Sequence, residues 1–200
     1  MSDWTGNEQT VFATLGASSH AKEDREENDF YATDPKAIDM LVNDCPYHLS
    51  ENTPIWEPCC GQGHMSKRLI ELGFTVQSSD LIDRGYGDVG IDFLSTLDKW
   101  RGNIITNPPY KLAKEFVEKS LEIIPNGRFV AMFLKLQFLE GKARKKMFLM
   151  NPPRFLMVSS SRILCGKNGD FNYEQGSAVA YAWYVWEKGY RGRTEIVWCN

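Results

Sequence analysis

Short apolar runs alternate with amphipathic stretches along most of the chain, and this alternation predicts an ordered succession of strands and helices. Runs bounded by turn residues predict strands near 55–57, 77–80, 89–91, 103–106, 128–134, 155–160, 178–187 and 195–198. Helical spacing of apolar residues predicts helices at 35–43, 64–72, 111–124 and 140–150. Strands that alternate with helices are typical of a doubly wound α/β sheet, and the continuous apolar run 128–134 predicts a strand buried on both faces.

Residues 1–28 differ from the rest of the chain because they are polar and strongly charged. They predict a flexible tail, although the apolar run Val11–Leu15 could dock on the body, and residues 29–200 predict one domain. The chain is 42% hydrophobic and 12% aromatic, which is enough for a substantial core. The sequence has five cysteines without a C-x-x-C pair and three scattered histidines, which predict reduced thiols and no metal site. We find no signal peptide or long apolar span in it, which predicts no membrane partner and a cytoplasmic location.

The tetrapeptide Asn107-Pro108-Pro109-Tyr110 directly follows the predicted strand 103–106, so it lies at the edge where open α/β sheets bind ligands. An Asn side-chain oxygen and a Pro carbonyl are two acceptors that can hold an exocyclic –NH2 group by both hydrogens, while the Tyr ring stacks on its conjugated system. The alternative is a proline-stopped strand whose Asn caps a helix. A second copy, Asn151–Arg154, precedes a predicted strand and lacks the aromatic residue, and we interpret it as a connector.

The segment Ile55–His64 combines a short strand, an acidic residue and a Gly-x-Gly turn before a predicted helix. Gly61 and Gly63 would let the backbone approach a ligand closely. A dinucleotide site would need a third glycine, but Ser66 occupies that position. Glu57 would repel a pyrophosphate and attract a sulfonium or ammonium group, so the segment favours a cationic ligand.

Two further acidic residues follow predicted strands. Asp80 ends the strand 77–80, where a carboxylate can accept both hydroxyls of a ribose. Asp92 and Phe93 close the short segment 89–91 and would place a carboxylate and an aromatic ring beside an adenine. Each residue alone is more often a turn acid or a core aromatic, but successive strand ends that all deliver ligand-type groups predict one site.

Together these segments resemble class I S-adenosylmethionine-dependent methyltransferases, specifically the adenine-N6 DNA methyltransferases of phage and prophage type. The matching segments are Asp29–Pro35, Glu57–Gly63, Asp80–Leu81, Asp92–Phe93, Asn107–Tyr110 and Ala182–Gly189. The resemblance implies a Rossmann-like, mostly parallel seven-stranded sheet with an antiparallel late strand. It also implies transfer of a methyl group from S-adenosyl-L-methionine to the N6 amine of adenine in DNA.

The resemblance divides the site residues between cofactor binding and catalysis. The resemblance assigns cofactor binding to Phe30, Tyr31, Thr33, Glu57, Pro58, Gly61, Gly63, Asp80, Leu81, Asp92 and Phe93. It assigns catalysis to Asn107, Pro108, Pro109 and Tyr110. In this division the amide and the Pro108 carbonyl hold the target amine, and Tyr110 stacks on a base flipped out of the duplex.

The sequence departs from sequence-specific members of the family in one respect, because it has no separate target-recognition domain. Only about a dozen residues separate Phe93 from Asn107, so either specificity is low, or the loop 165–176 or a protein partner supplies it. The basic run Lys142–Lys146 could contact a phosphate backbone or could simply be solvated, and the net charge of −3 does not favour a polyphosphate. Three alternatives remain, namely methylation of protein glutamine, methylation of ribosomal RNA, and cofactor binding without catalysis.

Overall fold

A computed structural model describes residues 32–166, 171 and 179–199. The predicted tail 1–28, Phe30, Tyr31 and most of the loop 165–176 lie outside the described residues. The helices are α1 (Lys36–Asp44), α2 (His64–Glu71), α3 (Ala113–Ile123) and α4 (Lys142–Met150). Three short 3-10 turns lie at Phe93–Ser95, Tyr110–Leu112 and Leu136–Leu139.

The strands are β1 (Ala32–Thr33), β2 (Ile55–Glu57), β3 (Val76–Asp80), β4 (Asp88–Val89), β5 (Asn103–Thr106), β6 (Phe129–Lys135), β7 (Phe155–Ser159), β8 (Cys165–Gly166), β9 (Tyr181–Glu187) and β10 (Glu195–Cys199). Eight strands follow the predicted order with small shifts at their ends, and two short strands, β1 and β8, were not predicted. Gly73 follows α2 with a φ of 92°, a backbone angle that glycine adopts without strain and that ends the helix where the sequence predicts.

The main sheet has the order β10-β7-β9-β6-β5-β2-β3-β4. Strand β9 runs antiparallel to both of its neighbours, and every other pair is parallel. The predicted α/β class, with a mostly parallel sheet and an antiparallel late strand, is therefore confirmed. The expected number of seven strands is wrong by one, because β10 adds an edge strand beside β7.

Helices cover both faces of the sheet, which makes it doubly wound. Along β6 alternate side chains enter opposite clusters: Phe129, Ala131 and Phe133 join the cluster that contains α1 and α2, whereas Val130, Met132 and Leu134 join the cluster that contains α3. These six residues are all buried, which confirms the prediction of a strand covered on both faces. At the edge strand β10, Ile196 and Trp198 are exposed.

Strands β1 and β8 form a separate two-stranded antiparallel ribbon, in which Thr33 pairs with Cys165. The backbone N–H of Asp34 donates to the carbonyl of Leu164 at 3.2 Å and extends the ribbon by one hydrogen bond. The ribbon thus joins the segment before α1 to the segment after β7. No helix among the described residues is long and apolar enough to cross a lipid bilayer.

Candidate functional site

A cavity of about 490 Å³ lies at the edge of the main sheet where the carboxyl ends of β2, β3 and β5 meet. Nine of the predicted site residues line it: Thr33, Glu57, Pro58, Asp80, Leu81, Asp92, Phe93, Asn107 and Pro109. The predicted residues Gly61, Gly63, Pro108 and Tyr110 lie in the same loops but outside the cavity wall. The structure therefore brings groups from five separate segments of the chain to one place.

Glu57 is the most deeply buried acid of the cavity wall, with 1% of its surface exposed. The hydroxyl of Ser66 donates to its carboxylate, and the same hydroxyl lies 2.6 Å from that of Ser78. Burial raises the pKa of Glu57 to about 8, helped by the neighbouring charge of Asp80 and opposed by the Ser66 hydrogen bonds. The carboxyl group is therefore mostly protonated at neutral pH until a cation enters the cavity. The residue that would have been the third glycine of a dinucleotide motif instead supports this acid.

Asp80 connects the glycine turn to the end of β3. One carboxylate oxygen accepts the backbone N–H of Gly61 at 2.8 Å, and the other accepts the N–H of Ile82 at 2.9 Å. The side chain is 8% exposed and lines the cavity. Because each carboxylate oxygen has more than one acceptor direction, these bonds hold the group in place and leave it able to accept a ligand hydroxyl.

Gly63 also has a packing role within the protein. Its φ is 80°, and a Cβ at this position would lie 2.4 Å from the ring of Tyr86, which packs against it. The thiol of Cys60 donates to the carbonyl of Tyr86 at 3.4 Å and holds the same loop. The glycine is thus required for close packing of the loop after β3. Nothing in the sequence marks Tyr86 as the partner of the glycine turn.

Asp92 and Phe93 line the cavity but do not follow a strand end as predicted, because β4 already ends at Val89. Asp92 caps the following 3-10 turn, and its carboxylate accepts the N–H of Leu94 at 3.0 Å and the hydroxyl of Ser95 at 2.5 Å. The Ser95 hydrogen bond lowers the pKa of Asp92.

The ring of Phe93 is 2% exposed. It stacks on Phe116 with centroids 4.9 Å apart and meets Trp56 edge-on at 5.2 Å. Phe93 therefore serves as a packed wall of the cavity and leaves little ring surface open for stacking.

The Asn107 amide is oriented by the ribbon. Its Nδ2 donates to the hydroxyl of Thr33 at 2.9 Å and lies 3.9 Å from the sulfur of Cys165. Tyr110 begins the 3-10 turn after the two prolines, and its hydroxyl donates to the same sulfur at 3.5 Å. The Lys135 ammonium group lies 4.6 Å from the centre of the Tyr110 ring, so it covers one face of that ring.

The second Asn-Pro-Pro sequence has the connector position that we expected. Asn151 follows α4, and its N–H donates to the carbonyl of Met147 at 2.8 Å. Its own carbonyl accepts the indole N–H of Trp186 at 3.0 Å. It precedes the amino end of β7, which lies at the edge of the sheet opposite to the carboxyl ends that form the cavity.

Sequence reasoning missed Cys165, Lys135 and Tyr181 as neighbours of the tetrapeptide. The rings of Tyr110 and Tyr181 are 6.1 Å apart. Burial raises the pKa of the Tyr110 hydroxyl well above its ordinary value, and burial raises the pKa of the Cys165 thiol to about 11. Both groups are neutral at physiological pH. Phe171, the one described residue between 166 and 179, meets His64, a residue of the cavity wall, edge-on at 5.6 Å.

Two further points concern metal ligands and the basic run. Among the described residues, no group of three or more His, Cys, Asp or Glu side chains could hold a metal ion. Within the basic run, Arg144 donates to the carbonyl of Phe138 at 2.7 Å and also to that of Glu140. Arg144 therefore stabilises the turn before α4, while Lys142, Lys145 and Lys146 are exposed.

The sequence matches no protein-family model and no curated protein sequence. Solved structures do match. A protein of Listeria monocytogenes assigned to the class I S-adenosylmethionine-dependent methyltransferases matches with a TM-score of 0.57 and 11% identity, over 94% of this chain and 70% of that one. This chain has the class I methyltransferase fold.

Two other structures give the same result for the fold. A predicted O-methyltransferase from Agrobacterium tumefaciens has a TM-score of 0.59 and 13% identity, over 82% of this chain and 85% of that one. The modification subunit of a type I restriction enzyme from Vibrio vulnificus has a TM-score of 0.58 and 14% identity, over 95% of this chain and 50% of that one. At these identities the likeness concerns the fold, and the substrate has to be argued from the site.

Proposed function

We propose that this protein transfers a methyl group from S-adenosyl-L-methionine to the exocyclic N6 amine of adenine in DNA. The observation that carries the proposal is the position of Asn107. This amide lines the same cavity as Glu57 and Asp80, and it begins the tetrapeptide whose groups suit a planar amine. One cavity therefore combines acids for a cationic cofactor with an amide for an acceptor.

The residues of the cavity fit S-adenosyl-L-methionine. A volume of about 490 Å³ lies within the range of roughly 300–1,000 Å³ that is usual for small-molecule sites. Glu57 suits the positive end of this cofactor, and Asp80 and Asp92 suit hydroxyl and amine donors. When bound, the cofactor supplies an electrophilic methyl group on a positively charged sulfur. We assign its binding to these three acids, to Thr33 and to the Phe93 wall, and we expect Phe30 and Tyr31 to take part.

Asn107 and Pro108 would prepare the acceptor. The lone pair of an exocyclic amine is delocalised into its ring, which makes the amine a poor nucleophile. Hydrogen bonds from its two hydrogens to the Asn107 oxygen and the Pro108 carbonyl would draw that lone pair back onto nitrogen. Because Thr33 accepts from the amide nitrogen, the amide orientation is already set before substrate arrives. No general base is needed, and the proton leaves the amine to solvent after transfer.

Tyr110 would hold the base. A flipped adenine can stack on the ring face opposite Lys135, and stacking of this kind is worth about 1–3 kcal/mol per base. This would offset part of the cost of about a few kcal/mol for flipping the base out of its duplex.

The assignment to DNA adenine has support from two structural relatives. One is the modification subunit of a type I restriction enzyme, and another is a dimethyladenosine transferase from Plasmodium falciparum with a TM-score of 0.52 and 13% identity. Protein glutamine has a planar –NH2 group that suits the same tetrapeptide. Glutamine and RNA are therefore included as outcomes of the test below.

The test is incorporation of labelled methyl groups into separate pools of DNA, RNA and protein. We expect incorporation into DNA adenine, and we expect Asn107→Ala to abolish it while affinity for the cofactor stays within about a few-fold. Asn151→Ala is a matched control, because it alters the second Asn-Pro-Pro sequence at the opposite edge of the sheet.

The outcomes separate the alternatives. Incorporation into protein or RNA alone would replace DNA as the substrate. Binding of the cofactor without any incorporation would favour a binding protein. Tighter binding of a nicotinamide dinucleotide than of S-adenosyl-L-methionine would refute the assignment altogether.

A further inference from the structure

The ribbon of β1 and β8 places two cross-strand partners, Thr33 and Cys165, against the first and last residues of the tetrapeptide. We propose that Cys165 is a positioning residue, whose sulfur holds Asn107 and Tyr110 in the arrangement that presents the target base. The inference rests on the proposed function, because it concerns the same acceptor site. It assigns a role to a residue that is 55 positions from Tyr110 in the sequence.

The contacts around the sulfur support this role. The Tyr110 hydroxyl donates to Sγ at 3.5 Å, and the Asn107 Nδ2 lies 3.9 Å from the same atom. The Nδ2 also donates to the Thr33 hydroxyl at 2.9 Å. The ribbon therefore contacts the amide with both members of its Thr33–Cys165 pair, and the sulfur contacts both the amide and the phenol.

The chemistry of a thiol fits two donors. Sulfur is large and weakly polar, so it accepts hydrogen bonds at longer distances than oxygen does and can accommodate two donors at once. Burial raises the pKa of this thiol to about 11, so it stays neutral and does not compete as a thiolate for an electrophilic methyl group. A serine hydroxyl would keep an acceptor in place but would lie farther from the phenol, because a C–O bond is shorter than a C–S bond.

The backbone ties this sulfur to the rest of the fold. The hydrogen bond from Asp34 to Leu164 extends the ribbon on the side of Cys165, and Asp34 also begins α1 through its carboxylate, which accepts the N–H of Lys36 at 2.9 Å. The backbone that carries the sulfur is thus held by the β1–β8 ribbon and by the start of α1. A change at Cys165 should move the tetrapeptide side chains while the cofactor acids on β2 and β3 stay in place.

The test compares Cys165→Ala and Cys165→Ser with Cys45→Ala. Cys45 is a matched control because both thiols are half-buried and both pack against the same hydrophobic cluster. We expect Cys165→Ala to lower the single-turnover rate of methyl transfer about tenfold or more, since small errors in positioning are costly. Cys165→Ser should recover part of the rate. Cofactor affinity should stay within about threefold, and all three variants should melt at similar temperatures.

A second measurement does not depend on the substrate. In protein labelled with 15N-asparagine, the side-chain signal of Asn107 can be assigned by its loss in Asn107→Ala. We expect this signal to shift in Cys165→Ala and to stay unchanged in Cys45→Ala. If wild-type protein methylates nothing, the proposed function fails while this signal still tests the contact.

The role of Cys165 would be refuted by an Asn107 signal that does not respond to Cys165→Ala. It would also be refuted by a transfer rate that falls equally in Cys165→Ala and Cys45→Ala, because the loss would then reflect stability alone.

Discussion

The buried acid Glu57 makes the stability of the protein depend on pH in a direction that can be calculated. Its pKa rises from 4.5 in the unfolded chain to about 8 in the folded protein, where burial disfavours the charged carboxylate. Between these two values the folded protein keeps a proton that the unfolded chain releases. The contribution of Glu57 to the free energy of unfolding is therefore fully present below pH 4.5 and is lost as the pH rises to about 8. A shift of this size corresponds to about 5 kcal/mol in total.

The replacement Glu57→Gln removes this titration and keeps the shape of the side chain. We expect the variant to resemble the wild type near the acidic end of the range and to be more stable above pH 8, by several kcal/mol at most. Urea unfolding of both proteins across the range measures the difference directly. Glu115→Gln, which changes an exposed glutamate of α3, is the control for the loss of one negative charge. Equal pH dependence in wild type and Glu57→Gln would refute the reasoning.

The same acid predicts how ligand binding depends on pH. A cation beside Glu57 favours the carboxylate, so its binding should release a proton, and affinity should rise with pH by up to about tenfold per unit below pH 8. Calorimetry in buffers of different ionisation enthalpy counts the proton. S-adenosylhomocysteine lacks the sulfonium charge, so comparing it with S-adenosyl-L-methionine identifies which cation faces Glu57. The absence of proton release with both ligands would show that neither cation approaches this residue.

Four further expectations concern other parts of the protein. Asp80→Ala should weaken cofactor binding about tenfold or more, which calorimetry can measure, because a charge-assisted contact is worth about 1.5–3 kcal/mol. Gly63→Ala should destabilise the protein more than Gly85→Ala in thermal melting, because both glycines have φ near 80° but only at Gly63 does the new Cβ meet a ring, that of Tyr86. Tyr110→Ala should weaken substrate binding by about 1–3 kcal/mol, and Tyr110→Phe should recover only part of this loss because it keeps the ring but lacks the hydroxyl that contacts Cys165, as judged by KM. Binding to duplex DNA should depend only shallowly on salt in anisotropy titrations, because a net charge of −3 leaves few phosphate contacts.

The fold and the position of the cavity could be predicted because both depend on local patterns. Glu57 and Asp80 each end a strand and Asn107 follows one, and parallel strands bring their carboxyl ends to one edge. In the folded protein these strands lie side by side.

Other features depend on contacts between distant segments and could not be predicted. Strands β1 and β8 have two residues each, too few for any periodicity, so the contact of Cys165 with Tyr110 has no sequence signal. The packing of Tyr86 on Gly63 could not be predicted either, because the sequence does not distinguish a glycine that a ligand requires from a glycine that an aromatic ring requires. Asp92 was expected at a strand end because 89–91 is largely apolar, but the strand ends at Val89, where Gly90 takes a φ of 75° that extended backbone does not allow.

The contact between Trp56 and Phe93 has a practical consequence for spectroscopy. Trp56 lies in β2 directly before Glu57 and touches the ring that forms a wall of the cavity, so its fluorescence should respond when the cavity fills. Trp198 is 75% exposed on the edge strand β10 and should be accessible to iodide, whereas Trp56 is 6% exposed and should be shielded. Iodide should therefore quench the fluorescence of Trp198 and leave mainly the fluorescence of buried tryptophans such as Trp56. This would allow ligand titration without a label.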